Sequence, residues 1–439
     1  MDNINKKYSL TAFYHTFGCK LNFAETSTVA KMLADMGIDR AAAGEVPDVV
    51  VVNTCSVTEL ADKKCRQTIR SFARKWPDAA IIVTGCYAQL KPQKVADLPG
   101  VKIVAGIDRK LKIAEYLDEW LGKRADMMLI TPAKDIREFN PSCSRGDRTR
   151  WFLKVQDGCD YFCSYCTIPM ARGRSRSCSV AEVVEKAREA AAQGAKELVI
   201  TGVNIGDFGK GRAEKFLDLI KALDEVEGIE RYRISSIEPN LLSDEIIEFV
   251  AKSKRFMPHF HIPLQCGDDE VLRLMGRHYD TTLFRHRIMK IRELLPEAFI
   301  GVDLIAGARG ETDELFENSR RFVESLPITR LHVFPYSERP GTKALSIPHV
   351  VAQEDKHARV KVMMDISAAK LNGFGQCFEG SVRPVLVEHS SKGGFMCGFT
   401  DNYIKVRIAA RPELANRVVA VELGTFDGEE MTGKVVEDE

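Results

Sequence analysis

The sequence predicts an α/β protein of three domains and one linker: a parallel α/β domain over residues 8–125, the linker at 126–144, a partial (βα)6 barrel over 145–373, and a small β-barrel over 375–438. Three observations predict it. The chain has 439 residues, beyond the roughly 250–300 that one hydrophobic core supports. Apolar β-rich runs alternate with amphipathic helical stretches through most of its length, which argues for parallel sheets with crossover helices. Past Gly375 the pattern changes to closely spaced short strands separated by Gly, Asp and Asn turns.

In the first part the strand candidates are Leu10–Phe17, Asp48–Asn53, Ala80–Thr84 and Lys102–Ala105. Val29, Met32, Leu33 and Met36 fall on one face of a helix between the first two. Thr131, Pro132, Pro141, Ser142 and Gly146 punctuate a stretch of weak periodicity, read as a linker. Six further strands follow near Phe152–Gln156, Glu197–Thr201, Tyr232–Ser235, His259–Pro263, Phe299–Ile305 and Leu331–Phe334. Ser179 and Glu182 form a capping box for the helix running through Gln193. In such barrels the chemistry lies at the C-terminal ends of the strands. The last part offers strands at Val382–Glu388, Phe395–Phe399, Tyr403–Ile408, Val418–Leu423 and Met431–Val436. From Glu379 onward it carries seven basic against eleven acidic residues, so Tyr403, Lys405 and Arg407 make its usable face toward RNA.

Lys+Arg 63 against Asp+Glu 62 leaves a net charge of +1, which excludes nucleic-acid binding by bulk electrostatics. The polar start and the lack of a long apolar run predict a protein that is neither exported nor membrane-spanning. Twelve cysteines in a chain so read belong to a reducing, cytoplasmic setting, where metal ligation or catalysis comes before disulfides.

Gly158-Cys159-Asp160-Tyr161-Phe162-Cys163-Ser164-Tyr165-Cys166 follows directly on the first barrel strand. Three thiolates on one loop can hold a four-iron cube and leave its fourth iron open for a ligand. The alternative is a zinc knuckle with Cys143 or Cys178 as fourth ligand, although neither has a usual zinc spacing from the trio. Cys19, Cys55 and Cys86 each follow a strand of the first part, and parallel strands end on one sheet edge, so they form a second three-thiolate site. Three separately buried cysteines are the alternative there. Cys65 keeps step with Ile69, Phe72 and Trp76 and reads as core; Cys143 lies in the linker, and Cys178, Cys266, Cys377 and Cys397 read as structural.

The C-x₃-C-x₂-C loop at the mouth of a partial βα barrel resembles the radical S-adenosylmethionine enzymes. With a second cysteine trio in front and a small β domain behind, the chain resembles their methylthiotransferase family from end to end. The resemblance implies two [4Fe-4S] clusters and S-adenosylmethionine, with Cys159, Cys163 and Cys166 on the radical-generating cluster and Cys19, Cys55 and Cys86 on an auxiliary one. It places Tyr165 near the cofactor adenine and makes the last domain a TRAM-like RNA-binding barrel. Gly18-Cys19-Lys20-Leu21-Asn22, Thr201-Gly202-Val203-Asn204-Ile205-Gly206-Asp207 and Phe334-Pro335-Tyr336-Ser337 are most similar to the branch acting on N6-threonylcarbamoyladenosine, 3′ of the tRNA anticodon. One S-adenosylmethionine would be methyl donor and a second the radical source; an electron donor and a sulfur donor are also required.

Other branches act on isopentenyladenosine in tRNA or on a ribosomal-protein aspartate, and a non-enzymatic alternative is an iron–sulfur redox sensor or RNA-binding protein. Further expected S-adenosylmethionine contacts are Ser235, Ser236 and Glu238 for the ribose, His261 and Gln265 at the next strand end, and Arg172 and Arg176 for the carboxylate. Ala306-Gly307-Ala308-Arg309-Gly310 and Gln265-Cys266-Gly267-Asp268 depart locally from the family pattern. For the tRNA anticodon stem-loop, Lys63, Lys64, Arg66, Arg70, Arg74 and Lys75 on one helix, with Arg145, Arg148 and Arg150, supply positive charge.

Overall fold

The computed structural model describes residues 7–144 and 149–436. Arg145 and Arg148 lie outside the described residues. Six parallel strands form the first sheet: β1 (Leu10–Thr16), β2 (Ile38–Arg40), β3 (Val49–Thr54), β4 (Ala80–Gly85), β5 (Val101–Ala105) and β6 (Met127–Leu129), in the order β2-β1-β3-β4-β5-β6. β3 and β4 are buried on both faces, which is why they read as unbroken Val and Ile runs. Val49, Val51 and Ile82 pack under Val29 and Leu33 of the helix Lys20–Asp35, while Val50, Val52 and Ile81 pack under Cys65 and Ile69 of the helix Glu59–Lys75. The expected linker is partly sheet: Met127–Leu129 forms the outer strand β6, paired to β5.

The central part opens with β7 (Ser142–Cys143), antiparallel to β8 (Arg150–Lys154). The short strands β9 (Gln156–Asp157) and β10 (Arg176–Ser177) bracket the cysteine loop. β8 continues through β11 (Glu197–Thr201) to β12 (Arg231–Ile234), and β13 (His259–Gln265), β14 (Phe299–Ala306) and β15 (Arg330–Pro335) form a second parallel sheet. Isolated bridges from Tyr232 to Phe256 and from Ser236 to His261 join the two sheets into one open arc of six parallel strands. Leu153, Ile200, Ile234, Phe260 and Ile262 point outward into the large apolar core beneath the helices. Phe152, Val199, Arg233 and His259 alternate with them and line the lumen.

The helix Gln353–Gln376 packs along β15 and leads into β16 (Val382–Lys392), β17 (Phe395–Thr400), β18 (Lys405–Ala409), β19 (Val418–Phe426) and β20 (Met431–Val435), closed as β16-β17-β18-β20-β19. This barrel plugs the N-terminal end of the central strands. Arg231 donates to the carbonyls of Phe399 at 3.0 Å and Pro384 at 2.8 Å, and Arg233 to those of Thr400 and Asp401, both at 2.7 Å. Tyr403, at φ +70°, inserts beside His259 and Phe299. Of the expected RNA face, Tyr403 is therefore withdrawn, while Lys405 and Arg407 stay at the surface. Tyr403 is turned into the domain contact, and Lys405 and Arg407 pair with Glu430 at 2.8 and 3.2 Å.

Candidate active site

Cys19, Cys55 and Cys86 stand just past the ends of β1, β3 and β4, three neighbours in one sheet. Cys19 is the N-cap of the helix Lys20–Asp35, and Cys86 begins the helix Cys86–Leu90. The backbone at this edge is tight. Gly18 has φ +92°, and a Cβ there would lie 2.9 Å from the Cys55 sulfur; at Gly85, with φ +100°, it would lie 2.3 Å from the Thr54 carbonyl oxygen. Burial, reinforced by Cys86 and Cys19 nearby, pushes the Cys55 thiol up to about 11. Asn22 holds the loops in place by donating to the carbonyls of Phe17 at 2.8 Å and Thr54 at 3.3 Å.

The second trio lies on the loop between β9 and the helix Ile168–Arg172. Buried Gln156 anchors that loop: its amide donates to the Gly158 carbonyl at 2.8 Å, and its oxygen accepts from the backbone N–H groups of Val203 at 3.0 Å and Asn204 at 2.8 Å. Each sulfur then accepts one N–H: Cys159 from Tyr161 at 3.4 Å, Cys166 from Ile168 at 3.4 Å, and Cys163 from the Arg277 guanidinium at 3.1 Å. Burial pushes the thiols up, Cys159 to about 11 and Cys166 to about 12, while Arg277 opposes the rise at Cys163. Buried thiols with a donor aimed at every sulfur suit metal-bound thiolates better than free S–H groups.

No three His, Cys, Asp or Glu side chains among the described residues converge on a single ion. The zinc alternative also lacks its fourth ligand, because Cys143 and Cys178 sit in the apolar core with Trp151, Leu153 and Val183. Cys65 is core as expected, and Cys266 is fully buried.

Arg172 and Arg176 do not face a ligand. The buried Arg172 guanidinium donates to Asn22 at 2.7 Å, Glu25 at 3.3 Å and Asp157 at 2.9 Å, tying the first domain to the cysteine loop. Arg176 donates to the carbonyls of Glu138, Arg172 and Arg174 and pairs with Asp157 at 3.3 Å. Glu238 is ion-paired with Arg277, whose guanidinium also reaches the Tyr165 hydroxyl at 3.4 Å, so Tyr165, Glu238 and Cys163 share one partner. Ser235 is buried after β12, and Ser236 pairs with His261. His261 bonds Asp303 at 2.8 Å, and Gln265 sits at a bulge of β13 with φ +66°. Sequence reasoning missed Arg277, Gln156 and Asp157. Asp157 caps the Gly158 N–H at 2.8 Å, and none of the three belongs to a periodic pattern.

The first trio borders the helix that follows the cysteine loop: Cys86 and Ile107 pack with Ala171, the neighbour of Arg172. Lys110, Lys154 and Arg172 surround Glu25 behind it.

Two family models match, the uncharacterized protein family UPF0004 over residues 11–106 and the radical SAM superfamily over residues 153–323. A solved structure, the radical S-adenosylmethionine methyltransferase TsrM of Kitasatospora setae, shares the fold with a TM-score of 0.56 at 17% identity over 77% of each chain. Fold and site thus define a radical S-adenosylmethionine enzyme, a class that works with a [4Fe-4S] cluster and S-adenosylmethionine. The threonylcarbamoyladenosine tRNA methylthiotransferase MtaB of Bacillus subtilis is 36% identical over 98% of both chains, and a tRNA-2-methylthio-N(6)-dimethylallyladenosine synthase of Clostridium botulinum is 32% identical over 87% of this chain and 86% of that one. The chain belongs to the radical S-adenosylmethionine methylthiotransferase family. Among the described residues no helix is long and apolar enough to cross a membrane.

Proposed function

We propose that this protein converts N6-threonylcarbamoyladenosine beside the tRNA anticodon into its 2-methylthio derivative. The observation that best supports the reading is the domain contact beside the cysteine loop: Cys86 packs with Ala171 on the helix that follows the loop, and Cys86 and Cys19 lie in the field of Arg172 on that helix. Relatives named for threonylcarbamoyladenosine match over nearly the whole chain, which favours that substrate. Cys159, Cys163 and Cys166 hold one cluster and Cys19, Cys55 and Cys86 a second. When bound, these groups and S-adenosylmethionine supply the radical and the sulfur that an adenine C2–H bond, neither acidic nor electrophilic, requires. The protein's own work is to orient and exclude water. Gln156 and Asp157 fix the cysteine loop, Arg277 directs an N–H at Cys163, and the C-terminal barrel closes the far end of the lumen.

Anaerobic reconstitution tests the ligand set. Two cubes, about eight irons per chain, are expected. A variant with Cys19, Cys55 and Cys86 all changed to Ala should hold about four irons and still release 5′-deoxyadenosine. About four irons in the unaltered protein would remove the second site. Loss of the methylthio mark from threonylcarbamoyladenosine in host tRNA after deletion tests the substrate.

A further inference from the structure

Within the lumen lies a cavity of about 250 Å³ whose lining includes Gly18, Lys20, Arg150, Arg233, His259 and Tyr403. That volume falls below the ~300–1,000 Å³ of sites for whole small molecules, so it fits a substituent rather than a nucleotide. Its cations are not equivalent. Arg150 donates to the Tyr403 hydroxyl at 3.0 Å and to Glu388 at 3.2 Å. Arg233 is saturated by Glu197 and the Thr400 and Asp401 carbonyls. Lys20 has no hydrogen bond or ion pair among the described residues, and its ammonium lies in the field of Arg150, Arg233, Tyr403 and Asp303. Asp303 is engaged by His261 at 2.8 Å.

Lys20 is also badly placed for stability. It is the first residue of the helix Lys20–Asp35, whose first turn holds no acid and whose N-cap makes no side-chain bond. A cation there opposes the helix dipole. With both guanidinium groups already committed, the unpaired ammonium and the uncapped helix start are what favour an anion in this small cavity. Lys20 also adjoins Cys19, at the edge proposed to hold the second cluster.

We infer that Lys20, assisted by the Tyr403 hydroxyl, receives a carboxylate borne on the N6 substituent of the substrate adenine, making the cavity the determinant that selects an acidic substituent over a neutral alkyl one. This deepens and rests on the methylthiotransferase reading. C2 and C6 of adenine flank N1 on one edge of the ring, so an adenine with C2 toward the Cys19 edge carries its N6 substituent beside Lys20. A neutral isopentenyl group there would desolvate the ammonium without pairing it, and sites built around a polar group reject analogues that lack the partner.

The test is binding to the anaerobically reconstituted holoenzyme at one fixed ionic strength. The probes are anticodon stem-loop RNAs carrying N6-threonylcarbamoyladenosine, its carboxyl methyl ester, or N6-isopentenyladenosine. The acid should bind roughly 10- to 100-fold tighter than the ester, the scale of one charge-assisted hydrogen bond. Lys20→Met should abolish that preference and leave ester affinity unchanged, Lys20→Arg should restore most of it, and Tyr403→Phe should reduce it in part. Equal affinity of the unaltered protein for acid and ester, or equal loss of both in Lys20→Met, overturns the inference. Binding is read without turnover. Absence of methylthio product from every RNA would therefore sink the functional reading, while the acid–ester preference still decides the role of Lys20.

Discussion

Arg277 is the residue on which the cysteine loop, the Glu238 loop and Tyr279 converge. It donates to the Cys163 sulfur at 3.1 Å, pairs with Glu238 and donates to the Tyr279 hydroxyl at 3.1 Å. Donors and positive charge beside a cluster sulfur raise its reduction potential. Arg277→Met should therefore lower the potential of the cluster proposed for Cys159, Cys163 and Cys166, and slow 5′-deoxyadenosine release about 10- to 100-fold, as loss of outer ligand contacts does. Arg277→Lys should recover part of the potential because it keeps the charge. Potentiometric EPR of the triple auxiliary-cysteine variant makes the measurement on that cluster alone, and an unchanged midpoint in Arg277→Met would reduce Arg277 to a packing role. The cysteines were legible because their spacing is local. Arg172, by contrast, was misread as a ligand-facing group because its partner Glu25 lies 147 positions away, and nothing near Arg172 reveals that pairing.

Among the elements, the helix Glu59–Lys75 separates its two faces cleanly. Cys65 and Ile69 are buried against the sheet, while Lys63, Lys64, Arg70, Arg74 and Lys75 are exposed. Arg66 differs from them, donating to the Tyr87 hydroxyl at 3.1 Å, and Arg150 is committed within the lumen. A tRNA surface on this helix thus consists of the exposed five. Changing Lys63, Lys64 and Arg70 together to Ser should weaken tRNA binding and lower the slope of log K against log salt by about 2–3, at roughly 0.7–0.9 per phosphate contact. Filter binding from low to moderate salt reads this, and an unchanged slope would exclude the helix from the interface. Elements of this kind were readable because a helix of seventeen residues displays its period, and the buried parallel strands because both faces force continuous apolar runs. The three-residue strands β2 and β6 and the two-residue β7 carry no such pattern. They are strands only because β1, β5 and β8 offer them a paired edge, which is a tertiary fact.

At the scale of the whole molecule, the first domain and the barrel are joined by ions withdrawn from water. Glu25, on the helix Lys20–Asp35, meets Lys110 of its own domain and Lys154 and Arg172 of the barrel; Asp157 completes the set with Lys154, Arg172 and Arg176. Burial alone would push Glu25 and Asp157 up, but the surrounding cations overrule it and hold both carboxyls well below the usual carboxylate range. The folded-state pKa values are therefore depressed relative to the unfolded chain, where Asp and Glu titrate near about 3.9 and 4.3. The unfolded chain binds protons first on acidification, so the stability these groups contribute is present above those values and is lost as pH falls through and below them. The melting temperature should hold level from neutral pH to about 5 and then drop steeply. Glu25→Gln leaves Lys110, Lys154 and Arg172 with only Asp157 for charge balance, and should cost about 3–5 kcal/mol at neutral pH, the penalty for breaking a buried ion pair from one side. Its acid fall should be shallower, because one of the two titrating carboxylates is gone. Calorimetry across that pH range on both proteins checks the two expectations together. A variant that melts with the unaltered protein at pH 7 would show that the domains are held by the apolar contact of Phe23 and Ala24 with Phe152 and Val199, not by the ions behind it.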